Sequence, residues 1–203
     1  MVRTVHLVRH GEPEAGYTKR FLGRLNPGLS ENGLRQAEKL VPRLRPLAPE
    51  ICLTSPLARA AETAAILADG LGVKAEAWDL LKEIDFGKLE GLTFDEARAS
   101  FPGMTDSWQA LSGDFAFPDG EDFPAFERRA GEIAATLGTW PGKSLLVVAH
   151  GGILRGVLCR LLGVACNGPL RFRLAYASLA SVEIHDGGTA VLTGFNIGRE
   201  PLA

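Results

Sequence analysis

Two apolar runs in this chain end in the same pair of residues. Thr4-Val5-His6-Leu7-Val8 leads into Arg9-His10-Gly11, and Ser144-Leu145-Leu146-Val147-Val148-Ala149 leads into His150-Gly151-Gly152. Short runs of this kind, bounded by polar turns, suit strands buried on both faces of a parallel sheet. Such strands open at their carboxyl ends into the crevice where α/β folds bind ligands. Arg9 offers a planar fork of donors suited to two phosphate oxygens, and Gly11 lets the backbone approach closely or take a positive φ. For Arg-His-Gly alone, the plainer reading pairs Arg9 with a surface carboxylate and lets His10 merely turn the chain. The second His-Gly weighs against that reading, because it repeats the whole design.

Between the two runs lies Thr54-Ser55-Pro56-Leu57-Ala58-Arg59-Ala60. Ser55 suits a helix N-cap, Pro56 the first helical position, and Arg59 the first turn, from which it points back toward the strand ends. Strands alternate with helical patterns along the chain without a low-complexity linker. That pattern predicts a single α/β domain over residues 1–203, a three-layer α/β/α sandwich with a largely parallel sheet. Ser30 caps a helix with Leu34, Ala37, Val41 and Leu44 on one face, and Pro42 is expected to kink it or end it early. Ile51-Cys52-Leu53 is a strand, and the helix after Pro56 is expected to stop near Gly70. Phe123, Phe126, Ala130, Ile133 and Leu137 form a helical stripe that ends at Gly138, a core face rather than a cofactor site. Ile153, Leu154, Val157, Leu158 and Leu161 form the buried face of a helix that stops at Gly163. Strand-like runs at 179–184 and 190–195 flank Asp186-Gly187-Gly188, which reads as a hairpin turn.

With 203 residues, 46% hydrophobic and 23% charged, the chain has enough apolar material for one sizeable core. Its formal net charge of -2 gives no pull toward nucleic acid or an anionic membrane. No apolar run reaches the ~18 residues that span a bilayer, and the amino terminus enters a strand without signal-peptide architecture, so a cytoplasmic setting is expected. Cys52, Cys159 and Cys166 fit neither a disulfide framework nor a metal spacing and are expected as reduced thiols. Gly151-Gly152 opens a helix, but no G-x-G-x-x-G follows any strand, which excludes a dinucleotide fingerprint.

Taken together, these segments resemble the histidine phosphatase superfamily, also called phosphoglycerate mutase-like. The resemblance rests on Arg9-His10-Gly11, on Ser55-x-x-x-Arg59-Ala60, on the second His-Gly at His150, and on Leu81-Lys82-Glu83-Ile84-Asp85-Phe86-Gly87-Lys88-Leu89-Glu90-Gly91. It implies that His10 attacks phosphorus through Nε2 to form a phosphohistidine, while Arg9, Arg59 and a protonated His150 hold the equatorial oxygens. It places Glu83 as the general acid for the departing alkoxide and then as base for the attacking water. Gly151, where a phytase-like branch carries aspartate, agrees with placing the acid on Glu83. Gly23 and Arg24 match a stretch that in the family lines the phosphate pocket, and Gly11 and Gly151 join them as substrate-binding residues. The implied substrate is a small-molecule phosphate ester, with no cofactor and no metal, and a homodimer is left open.

Supporting roles follow as well. Asp85 and Glu90 are expected to brace the loop that carries Glu83, and Asp122 to cap the helix after Pro118-Asp119-Gly120-Glu121. His6 reads as a core histidine, His185 as a solvated one beside the hairpin. Lys19, Arg20 and Arg24 form a basic loop, either solvated or touching substrate. Trp108 and Phe115 are assigned to a loop. Gly16 stands where many members carry a phosphate-binding asparagine, and no arginine pair occurs between Gly91 and Gly120, which favours a phosphatase over a mutase. Leu29-Ser30-Glu31-Asn32-Gly33 is similar to the α-ribazole phosphatase and broad-specificity sugar-phosphate branch. Two other readings stand beside this one: a cofactor-dependent phosphoglycerate mutase, and a non-catalytic phospholigand-binding protein.

Overall fold

In the computed structural model, which describes residues 2–104, 115–165 and 172–198, six strands form one sheet. They are β1 (Arg3–Arg9), β2 (Ile51–Thr54), β3 (Ala75–Ala77), β4 (Ser144–Ala149), β5 (Leu179–Ile184) and β6 (Ala190–Ile197). Their spatial order is β3-β2-β4-β1-β5-β6. The first four are mutually parallel, whereas β5 runs antiparallel to β1 and β6 antiparallel to β5. The sheet is therefore largely parallel, as expected, with an antiparallel hairpin on one edge.

Helices cover both faces because the central strands are apolar on both. Val8, Cys52, Leu146 and Val148 pack against α1 (Glu31–Leu44) and α2 (Ala58–Leu71) through Leu40, Leu44, Ala60, Ala64 and Leu67. Leu7, Leu53, Leu145 and Val147 face the other way, against Ile133 and Leu137 of α4 (Phe123–Gly138) and Ile153 and Val157 of α5 (Gly151–Leu162). A shorter α3 (Phe94–Ser100), closed at its start by a Thr93/Glu96 capping box, lies in the 91–120 segment. The result is the three-layer α/β/α sandwich predicted from the sequence.

Register decides where chemistry can gather. Arg9 pairs with Ala149, and Thr54 pairs with Val148, so His10, Ser55 and His150, each the first residue beyond its strand, emerge on one edge. Because β5 runs the other way, with Leu179 opposite Val8, the chain that leads into it arrives at that same edge.

Several local expectations need correction. Pro42 neither ends nor shortens α1, which runs on to Leu44. The proline sits in the last turn, where the one N–H it lacks is offset by burial of Leu40 and Leu44 on either side. The buried face of α1 is Gly33, Ala37, Leu40 and Leu44, while Leu34 is 39% exposed. The apolar stripe thus lies about one residue round from the frame that included Leu34. On α2, Leu57 rather than Ser55 is the N-cap, while the helix stops at Leu71, near Gly70 as expected, with Gly72 as its C-cap in the left-handed region at φ 69°. Leu161 is half-buried. Phe115 lies in irregular backbone but is core, edge-on to Phe117 at 4.8 Å between ring centroids. Trp108 and Cys166 lie outside the described residues. Cys52 and Cys159 are buried free cysteines.

The loop after β1 is pressed onto the first turn of α1. A Cβ on Gly11 would stand 2.5 Å from the carbonyl oxygen of Gly33, and one on Gly33 would overlap the carbonyl oxygen of Glu12. Neither obstacle is a side chain that can swing away. In an open helix, Gly→Ala gains about 1 kcal/mol in propensity. Overpacking against backbone costs about 1–3 kcal/mol and wins here. Gly33→Ala is expected to lower the melting temperature by roughly 2–4 °C, the shift that a net loss near 1 kcal/mol produces in a chain of this size. An unchanged or raised melting temperature would show that this seam is loose.

Candidate active site

His10 follows β1 directly and is buried, with Nδ1 donating to the carbonyl of Gly11 at 2.7 Å. A carbonyl only accepts, so the proton sits on Nδ1 and Nε2 keeps its lone pair. Burial, then the charges of Arg9 and Arg59, hold the imidazole well below its ordinary pKa of 6.5, and it is neutral at physiological pH. Its ring lies 5.1 Å from that of His150 and 5.5 Å from that of Tyr176, centroid to centroid.

Two guanidinium groups, that of Arg59 wholly buried and that of Arg9 half-buried, flank this imidazole. Arg9 donates from Nη1 to the carbonyl of Leu174 at 2.8 Å and stacks over the Tyr176 ring at 4.0 Å. Arg59, wholly buried on the first turn of α2, donates from Nη1 to Leu25 O at 2.7 Å and from Nη2 to Gly23 O at 2.9 Å. Burial pulls Arg59 down to about 10, which leaves it charged at neutral pH. Both arginines keep a buried Nε without a partner. The loop that Arg59 holds is braced from behind by Glu90, whose carboxylate accepts from the backbone N–H of Arg24, Leu25 and Phe86 at 2.7, 3.1 and 3.3 Å. Asp85 accepts from Gly87 N at 2.9 Å, so both residues brace the loops around the site as the sequence suggested.

Glu83 reaches the amino terminus of α5. Its Oε2 accepts from Gly152 N at 2.8 Å, and its Oε1 accepts from Ile153 N and Ile84 N, each at 3.0 Å. The oriented amides of a helix start favour a carboxylate there. Beside it, His150 Nε2 lies 2.8 Å from Ser55 Oγ, while Nδ1 is buried with no partner. The protonated His150 expected from the sequence is corrected. Burial, then Arg59, His10, Arg9 and Arg24, hold this imidazole well below its usual pKa and hence neutral.

These groups surround a cleft of about 210 Å³. Arg9, His10, Arg59, Glu83, Gly23 and Gly151 line it, while His150 stands wholly buried behind. Arg24 is not among the lining residues; its backbone serves Glu90, and its charge is felt at His150. Gly11 likewise does not line the cleft, and its closeness is to Gly33 rather than to a ligand. Gly16 lies on the loop outside it, with open space where a side chain would stand. His6 is a core residue, 2.9 Å from Ser181 Oγ, and burial lowers its pKa to about 4. Asp122 caps α4 by accepting from Ala125 N at 2.6 Å. Among the described residues, no group of three or more His, Cys, Asp or Glu is placed to hold a metal.

Sequence reasoning missed Arg155, Arg173 and Tyr176, which also line the cleft, and missed Ser55 as the partner of His150. Arg155 was within reach of a sequence argument, since it lies one helical turn beyond Gly151 on the same face. Arg173 and Tyr176 were not, because only the antiparallel register of β5 brings their segment to this edge.

Residues 5–197 match the family profile described as histidine phosphatase superfamily, branch 1. The chain is 32% identical over 180 residues to a probable phosphoglycerate mutase of Cronobacter sakazakii, spanning 88% of this chain and 84% of that protein. It is also 32% identical over 188 residues to the adenosylcobalamin/alpha-ribazole phosphatase of Salmonella typhimurium, spanning 89% and 90% of the two chains. A mycobacterial glucosyl-3-phosphoglycerate phosphatase, solved as a complex with inorganic phosphate, superposes with a TM-score of 0.82 at 26% identity, over 96% of this chain and 97% of that one.

Proposed function

This chain belongs to the histidine phosphatase superfamily, and from that premise we propose that it is a phosphomonoesterase that frees phosphate from a small metabolite through a phosphohistidine on His10. One observation carries the reading. Of the four buried polar side-chain atoms without a partner among the described residues, three, Arg9 Nε, Arg59 Nε and His150 Nδ1, belong to the group around His10, the fourth being Arg3 Nε. Each unmet buried donor costs about 1–3 kcal/mol. A phosphoryl group, with its several acceptor oxygens and negative charge, meets that need in one step.

The reaction then runs on these side chains. Neutral His10 attacks phosphorus through Nε2 while Nδ1 keeps its proton on Gly11 O, and the ester P–O bond breaks. Arg9 and Arg59 hold the equatorial oxygens and neutralise charge that builds on them. His150 takes part as a neutral donor rather than a cation. With Ser55 Oγ–H donating to Nε2, the imidazole carries its proton on Nδ1 and offers it to phosphate. Glu83 protonates the leaving oxygen. Its hydrogen-bond pattern allows this, because a carboxyl group can accept two amides at Oε1, accept Gly152 N with one lone pair of Oε2, and still carry a proton on Oε2. Water next attacks the phosphohistidine, gives a proton to Glu83, and His10 leaves neutral.

Hydrolysis is favoured over isomerisation because no arginine pair occurs between Gly91 and Gly120 to hold a phosphoglycerate as true mutases do. The reading includes a single domain over residues 1–203 in a cytoplasmic setting. It is in keeping with free Cys52 and Cys159 and with the lack, among the described residues, of a helix long and apolar enough to cross a membrane. The test is incubation with 3-phosphoglycerate and a trace of 2,3-bisphosphoglycerate in excess EDTA. Inorganic phosphate should appear faster than 2-phosphoglycerate. Dominant isomerisation would establish the mutase reading instead, and activity that EDTA removes and Mg²⁺ restores would move the chemistry to a metal.

A further inference from the structure

Glu83 is held at both ends, and the two holds come from different helices. Its carboxylate is fixed by amides at the start of α5. Its backbone is fixed by Arg129, which projects from α4 and does not line the cleft. Arg129 Nη1 donates to the carbonyl of Leu80 at 2.8 Å and to that of Lys82 at 2.7 Å, so it grips the peptide that joins Lys82 to Glu83. Nε and Nη2 donate to the two carboxylate oxygens of Glu121, at 2.9 and 2.6 Å, and each of the two side chains is only 11% exposed. Glu121 in turn grips the chain beyond Glu83. Its N–H donates to Asp85 O at 2.9 Å, and its Oε2 accepts from Asp85 N at 3.4 Å. We infer that Arg129 and Glu121 are positioning residues for the general acid, an ion pair outside the cleft that fixes the backbone on either side of Glu83 and so aims its carboxyl group at the leaving oxygen.

The cost of such a pair argues for a purpose beyond cohesion. Charges withdrawn this far from water lose hydration that their attraction repays only in good geometry, and an apolar pair of similar size commonly serves stability as well. Apolar side chains cannot hold backbone carbonyls in place. The planar fork of Arg129 reaches two carbonyls and both carboxylate oxygens at once, which a lysine cannot match. The frame is stiff because α4 and α5 touch closely: a Cβ on Gly156 would stand 2.9 Å from the Phe126 ring and 3.0 Å from Ala130 Cβ. Helix packing thereby sets the separation between the backbone hold on α4 and the carboxylate hold on α5. Proton transfer to a leaving oxygen needs that precision, since a misplacement of about 1 Å costs on the order of 10²-fold in rate.

This role rests on the phosphatase reading with Glu83 as its general acid, and the test separates the two. The value of kcat/KM is measured for p-nitrophenyl phosphate and for whichever of 3-phosphoglycerate, glycerol 3-phosphate and fructose 6-phosphate the wild-type protein cleaves fastest. One variant is Arg129→Lys, which keeps a positive charge opposite Glu121. The other combines Arg129→Met with Glu121→Met, which removes the pair together and leaves neither charge without its partner. Circular dichroism checks the fold, and if one variant does not fold the other carries the comparison. Each folded variant should slow the alkyl ester about 10–100-fold, the cost of a misplaced acid, and p-nitrophenyl phosphate by less than about threefold. In Glu83→Gln protein, Arg129→Lys should slow the alkyl ester no further, because a residue that acts through another loses its effect once that other is gone. Equal losses on the two esters, a further loss in the Glu83→Gln background, or unchanged alkyl turnover would make the pair structural only. Failure of the underlying reading shows before Arg129 is altered. Wild-type protein that frees no phosphate overturns the phosphatase, and equal losses on both esters in Glu83→Gln alone overturn the acid; either result ends the positioning role as well.

Discussion

His10→Ala is expected to lose turnover by roughly 10⁴-fold or more, the scale on which removing a catalytic nucleophile acts, while remaining folded. The residue is buried but small, and its recorded hydrogen bond is to the neighbouring carbonyl of Gly11, so the cost in stability should be about 1–3 kcal/mol. Circular dichroism and a thermal melt check that the fold survives. Rapid quenching of wild-type protein with substrate should capture phosphate on the His10 peptide as an acid-labile, base-stable phosphoramidate, absent from the variant. The pH dependence adds a second, signed expectation. An ordinary histidine is half protonated near pH 6.5 and would lose half its nucleophilic form there. His10 is held well below that value by burial, Arg9 and Arg59. Its neutral form therefore persists as pH falls through 6.5, and activity should not halve in that range on account of this group. Substantial turnover by His10→Ala, or label on another residue, would remove His10 from the chemistry.

What could be read in the chain was whatever rests on local pattern. The two His-Gly runs, the Ser30 and Asp122 caps, and the Gly163 stop all follow from neighbours within about one turn of chain, and the structure has each where expected. The α3 helix, which the sequence reading did not include, begins with Thr-x-x-Glu at Thr93, a signal that was present and went unread. Strand β3 spans just Ala75–Ala77, three residues that are exposed or half-buried and too few to show a pattern; it forms because β2 offers an edge. Ser55 illustrates a different limit. Locally it suits an N-cap, yet its hydroxyl faces His150, 95 residues away, and that contact exists only after β2 and β4 pair. Arg173 and Tyr176 depend likewise on β5 lying antiparallel to β1. The residues that attack and clamp phosphorus were thus legible, whereas those that tune and surround them are products of register.

Glu83→Gln is expected to slow hydrolysis of alkyl phosphates by ~10²–10⁴-fold, the contribution of a positioned general acid, yet to slow p-nitrophenyl phosphate by less than about tenfold. An alkoxide leaves poorly without a proton, whereas p-nitrophenolate leaves unaided. The contrast matters because Glu83 has a complete structural role already, accepting from the N–H groups of Gly152, Ile153 and Ile84. Glutamine keeps a carbonyl for Ile153 and Ile84 but sets an amide N–H₂ against Gly152 N–H, a clash of donors that costs about 1–3 kcal/mol. Any disturbance of α5 and the cleft from that clash falls on both substrates alike, so the ratio between them isolates proton transfer. If the losses are equal, Glu83 is a positioning residue for the start of α5. The acid would then be neither Glu121 nor Asp85. Glu121 is tied to Arg129 at 2.6 Å, Asp85 is bound to Gly87 N, and neither lines the cleft.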